Sequence, residues 1–135
     1  MLKVEFYTPN GFYKTIDVDH INVITSDGQR GVFENHMPMV SPLKISKLEA
    51  IKDGKSEYFA IGGGVLHFSD KVARVIVETV EDKESIDIKR AESAKERALK
   101  RIESKDPSID IKRAEIALTK ALNRIEVFNL GDINT

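Results

Sequence analysis

Ser85-Ile86-Asp87-Ile88-Lys89-Arg90-Ala91-Glu92 recurs letter for letter as Ser108-Ile109-Asp110-Ile111-Lys112-Arg113-Ala114-Glu115. Each copy opens a segment rich in Ala, Glu, Lys and Arg, the composition of helix. A Ser or Asp at each start can cap a helix N-terminus, where the helix dipole also favours the Asp charge. Ser104-Lys105-Asp106-Pro107 lies between the two segments, a connection short enough to fold two helices back as a hairpin. The repeat therefore divides the chain into a first part, residues 1–84, and a helical part, residues 85–135.

The first part reads as strands. Leu2, Val4 and Phe6 alternate with Lys3 and Glu5, the period of a half-buried strand. Pro9-Asn10-Gly11 is turn chemistry, and Ser26-Asp27-Gly28 breaks the pattern again. Ile16, Val18, Ile21, Val23 and Ile24 continue it. Leu43, Ile45, Leu48 and Ile51 mark one or two further strands, and Asp53-Gly54 is the strongest hairpin signal in the chain. Tyr58–Ile61 and Val65–Phe68 flank Gly62-Gly63-Gly64, and residues 72–77 form the last clear strand. Short strands punctuated by turns point to an all-β sandwich or barrel. The triple glycine lacks the Lys-Ser/Thr of a P-loop and precedes a β-branched run, so it reads as a bulge or a close approach of two backbones.

The apolar stripe of the helical part is thin: Ala91, Ala94, Ala98 and Ile102, then Ala114, Ala117, Leu118, Ala121, Leu122 and Ile125. Each buried methyl contributes only about 0.8 kcal/mol, so a hairpin held by alanines alone is weakly closed. Arg90, Arg97 and Arg101 share one face of the first helix, and Arg113, Lys120 and Arg124 repeat that spacing on the second. Such rows are either a solvated face or two cationic banks facing a polyphosphate.

Bulk properties narrow the classes. The chain has 135 residues, 41% hydrophobic and 32% charged, with no Cys and a net charge of −1. Residues 1–84 carry −3 and residues 85–135 carry +2, too mild a polarity to argue for nucleic acid. The absence of Cys removes disulfides and thiolate metal sites. Met1-Leu2-Lys3 leads straight into a strand pattern without a signal-peptide profile, so no targeting segment is expected, and no apolar run approaches the roughly 18 residues of a membrane span. His20, His36 and His67 have no metal-ligand spacing, and no nucleophile–base constellation accompanies them. His36 lies in the apolar loop Asn35-His36-Met37-Pro38-Met39, which reads as a contact surface.

Three stretches resemble one family, the epsilon subunit of F-type ATP synthases. They are Gly31–Leu43 with its His36 and Pro38, the glycine-rich Ile61–Leu66, and Ile86-Asp87-Ile88-Lys89-Arg90-Ala91. The last is similar to the motif with which some bacterial members bind ATP. The resemblance implies an all-β sandwich N-terminal domain (1–84) that docks in the stalk, and a C-terminal two-helix antiparallel hairpin (85–135) that regulates. It also implies ATP as a regulatory ligand, with or without magnesium, at Glu81, Ile86, Asp87, Arg90, Ala91, Arg97, Lys120 and Arg124. Lys120 stands where similar ATP-binding members have Arg, and so loses the planar fork.

By the same resemblance the partners are the gamma subunit, the membrane-embedded c-ring, and the alpha and beta catalytic subunits. Asp27, Gly28, Gln29, Arg30 and Gly31, with Asn35, His36, Met37 and Pro38, are the candidate ring contacts. The implied protein is non-catalytic and lies at the cytoplasmic face of the cell membrane, peripheral through its complex. An arm extended from Ser85 to Glu126 would span about 63 Å at about 1.5 Å per residue. The tail after Phe128, with its helix-ending Gly131, is expected to fray. Two other classes stay open: a free-standing nucleotide sensor, and a nucleic-acid module using the basic hairpin.

Overall fold

A computed structural model describes residues 1–133, the last three by backbone alone. Eight strands come first: β1 (Leu2–Thr8), β2 (Gly11–Val18), β3 (His20–Thr25), β4 (Gly28–Phe33), β5 (Met39–Lys52), β6 (Lys55–Ser69), β7 (Val72–Val77) and β8 (Val80–Asp82). A single 3-10 turn, Lys83–Ser85, leads to α1 (Ile88–Glu103) and α2 (Ile111–Ile133). The strands are ordered β2-β1-β7-β6-β5-β3-β4, with β8 paired to the first half of β6. All ladders are antiparallel except β1 with β7.

The two long strands make the sandwich. On the face of β6 toward the sandwich core the buried side chains are Phe59 and Ile61, then Leu66 and Phe68, so the period of two slips by one across Gly62–Gly64. In β5 the same slip separates Leu43 from Leu48 and Ala50. At that level β6 changes partner, from β8 to β7. Each long strand thus serves two layers, and the Phe6 and Phe59 rings meet between them at 4.8 Å. Leu2, Phe6, Ile21, Leu48, Phe59, Leu66 and Phe68 fill the core at 0–2% exposure. Full burial of one such side chain contributes about 1.5–3 kcal/mol.

The triple glycine is the close approach that the sequence suggests, within one continuous strand rather than between two. The Gly62 amide donates to the Thr79 carbonyl at 2.8 Å, and the Glu78 amide to the Gly63 carbonyl at 3.0 Å. A Cβ on Gly64 would stand 2.1 Å from the Ile76 carbonyl oxygen. At Asp53-Gly54 both residues have positive φ, 52° and 76°, as a two-residue hairpin turn requires.

Both helices begin later than Ser85 and Ser108. Asp87 caps α1, accepting from the Arg90 amide at 3.1 Å, and Asp110 accepts from the Arg113 amide at the same distance. The serines are held one step earlier, Ser85 by Asp82 and Ser108 by Asp106. The connection runs over residues 104–110. Ala91, Ala98, Ala114 and Ala121 form the buried seam, while Leu122 is 45% exposed. Gly131 does not end α2, which continues to Ile133. A helical glycine costs about 1 kcal/mol, which the docked helix absorbs. Asn134 and Thr135, where fraying is also expected, lie outside the described residues.

Among the described residues no helix is long and apolar enough to cross a membrane. No cluster of His, Asp and Glu among them could hold a metal ion.

Candidate functional site

α2 lies against β5 and β6, and α1 lies against α2, so α1 overhangs the sandwich rather than packing into it. Val127 is fully buried with Ala60 and Ile86, flanked by Tyr58 and Phe128. The Asn123 amide donates to the Ser46 carbonyl at 2.8 Å and the Ile61 carbonyl at 3.4 Å, at the level where the long strands slip phase. Lys47 pairs with Glu126 at 2.5 Å, and Arg124 Nε donates to Glu81 Oε1 at 2.6 Å. The alanine seam is therefore not the whole attachment. Asn123 and Val127 add a buried polar latch and an apolar anchor, neither of which the helical pattern singles out.

The overhang leaves an open cleft of about 670 Å³. One wall is the sandwich: Thr8, Asn10, Phe12 and Tyr13 from the β1–β2 hairpin, and Glu78–Glu81 from the β7–β8 region. The other wall is α1, with Asp87, Arg90, Ala91, Ala94 and Arg97, closed at one side by Arg124 of α2. The volume suits a drug- or nucleotide-sized ligand. Arg90, Ala91, Ala94 and Arg97 sit at steps of 1, 3 and 3 along one helical face, which is why sequence spacing brings them together.

Of the eight residues expected at a nucleotide, Glu81, Asp87, Arg90, Ala91, Arg97 and Arg124 line this cleft. Ile86 does not; it is 6% exposed, beneath Val127, and anchors the motif. Lys120 borders a small neighbouring hollow that shares Glu81 and Arg124 with the cleft. Three guanidiniums thus converge from two helices. Arg124 is held in place by Glu81, whereas among the described residues Arg90 and Arg97 are in no ion pair. Exposed arginines facing an open cleft fit a polyanion, which accepts several N–H bonds from each fork.

Asp82 secures the turn into α1. Burial raises its carboxyl, but the Ser85 hydroxyl and amide, with Lys14, outweigh this and hold it below its ordinary value. Lys14 Nζ stands 3.6 Å from Asp82.

The candidate partner contacts lie outside the cleft, along β4 and the turns at its two ends. Asp27 is in the β3–β4 turn, Gly28–Gly31 begin β4, and Asn35–Pro38 follow its far end. Only Val32, Phe33 and Glu34 lie between the two segments. All the candidate contacts are exposed except His36, which is half-buried with its ring edge-on to Phe68 at 5.8 Å. Met37 is 73% exposed and Phe33, stacked on His20 at 4.4 Å, is 56% exposed.

The chain matches two family models in sequence. Residues 1–83 match the ATP synthase, Delta/Epsilon chain, beta-sandwich domain. Residues 84–129 match the ATP synthase, Delta/Epsilon chain, long alpha-helix domain. It is 38% identical over 106 residues to the ATP synthase epsilon chain of Bacillus licheniformis, covering 78% of this chain and 81% of that one. With the epsilon chain of Alkaliphilus oremlandii it shares 42% over 100 residues, 74% of this chain and 75% of that one. Among solved structures it is similar to a chain of the Euglena gracilis mitochondrial ATP synthase (OSCP/F1/c-ring, rotational state 1). That match has a TM-score of 0.77 at 26% identity, over 93% of this chain and 79% of that one. A chain of the Tetrahymena thermophila mitochondrial ATP synthase central stalk and c-ring shares the fold, with a TM-score of 0.56 at 14% identity, over 96% and 95%.

Proposed function

Because the chain belongs to the delta/epsilon family of ATP synthase subunits, we propose that it is the epsilon subunit of the central stalk in a rotary F-type ATP synthase, a non-catalytic regulator whose arm responds to ATP. The observation that carries the regulatory half is the cleft. Its walls come from the sandwich, α1 and α2 together, so it exists only while the arm is folded. A ligand that needs all three walls binds the folded state alone and stabilises it. At a hundred times its dissociation constant it adds roughly 2.7 kcal/mol to that state.

The roles follow from position. Arg90 and Arg97 donate to phosphate oxygens from α1, and Arg124 from α2 while Glu81 holds its guanidinium in the cleft. Asp87 offers a carboxylate oxygen to an amino group, and Ala91 leaves room beside it. Lys120 supplies charge from the adjoining hollow. Ile86 keeps the motif seated on α2. Magnesium, if carried in by the nucleotide, meets no dedicated acidic cluster among the described residues.

In the assembled complex the sandwich grips gamma and rests on the c-ring through Asp27–Gly31 and Asn35–Pro38, at the cytoplasmic face of the membrane. With ATP bound the arm stays folded and hydrolysis runs. Without it the arm extends along gamma toward the alpha and beta subunits and blocks wasteful hydrolysis.

Titrating ATP into the isolated protein, read by its melting transition and methyl NMR spectrum, tests the site, with ADP and GTP as controls. The expected result is a saturable, ATP-selective shift that disappears in Arg97→Ala. Absence of any shift at millimolar ATP refutes the switch. Unchanged hydrolysis by the complex after deletion of residues 85–135 refutes the inhibitory role.

A further inference from the structure

The sandwich wall of the cleft carries two adjacent aromatic residues, Phe12 and Tyr13, opposite Asp87, Arg90 and Ala91. Neighbouring residues on a regular strand point to opposite faces. Here the β1–β2 ladder pairs Phe6 with Lys14 but Tyr7 with Phe12, so Tyr13 is an extra, bulged residue. A bulge re-aims side chains, and this one lets both rings line the same cleft. Tyr7 supports the Phe12 ring edge-on at 5.7 Å, and Phe6 supports the Tyr13 ring edge-on at 6.5 Å. Phe12 is 58% exposed and Tyr13 37%, although the Phe6 ring against Tyr13 is fully buried.

We propose that Phe12 and Tyr13 form the base-stacking wall of the cleft, so that it selects a purine nucleotide over a bare polyphosphate. This rests on the nucleotide reading of the cleft and extends it to residues on the sandwich. The chemistry is that of single bases on aromatic platforms: the ring faces supply stacking, and the arginines opposite supply charge. Stacking on the sandwich also couples the base to the domain that the arm must leave. Base recognition then reports on the folded arm, which phosphate binding to α1 alone could not do.

The test uses the full chain. It contains no Trp, so Phe12→Trp places one fluorophore at the wall. ATP is expected to quench it and sodium tripolyphosphate to leave it unchanged. By calorimetry, Phe12→Leu and Tyr13→Leu each weaken ATP about tenfold, and change tripolyphosphate less than twofold. Phe12→Tyr and Tyr13→Phe, which keep the rings, retain ATP affinity, and the ATP-over-UTP preference narrows in the Leu variants. Unchanged ATP affinity in both Leu variants overturns the stacking wall and leaves the nucleotide site standing. Equal losses for ATP and tripolyphosphate also overturn it, because the rings then only hold the cleft's shape. If the unchanged protein binds neither ligand, the nucleotide reading falls and the stacking wall falls with it.

Discussion

Replacing Asn123 by Ala should loosen the arm and leave the sandwich intact. Asn123 is 8% exposed, and its side-chain amide donates to the Ser46 carbonyl at 2.8 Å and more weakly to Ile61 at 3.4 Å. Ser46 is itself buried, so truncation leaves its carbonyl without that donor wherever water does not enter. An unmet buried acceptor costs about 1–3 kcal/mol. Partial water entry beside the small hollow lined by Ile45, Ala60 and Ile61 brings the expectation to about 1–2 kcal/mol. The cost exists only while α2 is docked, so the released fraction rises about five- to thirty-fold. Hydrogen exchange read by NMR separates the two parts. Amides of α2 and of β6 near Ile61 should lose protection by that factor, while those of β1 and β7 keep theirs. Uniform loss across both parts would show that Asn123 supports the whole fold rather than the docking. Unchanged α2 protection would refute the latch altogether. Val127→Ala is the apolar counterpart and should release the arm without exposing a carbonyl.

The repeated motif gives a matched pair: Arg90→Ala should weaken ATP at least tenfold, whereas Arg113→Ala, outside the cleft, should leave it unchanged in the same calorimetric titration. Gly64→Ala should cost about 3 kcal/mol or more in urea unfolding, because its Cβ meets the Ile76 carbonyl at 2.1 Å and its φ is 156°. Gly62→Ala meets the Thr79 hydroxyl first, at 2.3 Å, and should cost less. Asp82 is held below its ordinary value in the folded chain. It therefore contributes stability above that ordinary value, and the contribution is lost as pH falls through the lowered one. Asp82→Asn should accordingly be less stable than the unchanged protein at pH 7, with the gap closing below about pH 4 in melting experiments.

The elements and the two-part plan are legible in the order of the residues. Alternation marked Leu2, Val4 and Phe6 as inward, Asp53-Gly54 declared its turn, and the duplicated Ser and Asp offered a cap for each helix, of which the folded chain uses Asp87 and Asp110. These are local signals, because period, turn chemistry and capping depend on residues within four positions of one another. The α1 side of the cleft was legible for the same reason, since Arg90, Ala91 and Arg97 share one helical face. Tertiary structure alone decided what faces them. The phase slip at Gly62–Gly64 turned two apparent strands into one that bends through both layers. The bulge at Tyr13 turned two aromatics that a regular strand would separate into a single wall. Asn123 is in sequence an ordinary polar helix residue, and in the fold it sits over two strand carbonyls. Ile86, part of the motif, went under Val127 and out of the cleft. The bulge depends on strand register, and the seats of Asn123 and Ile86 depend on docking between segments dozens of residues apart. No local pattern encodes register or docking, because the partner group is supplied only when the chain has folded.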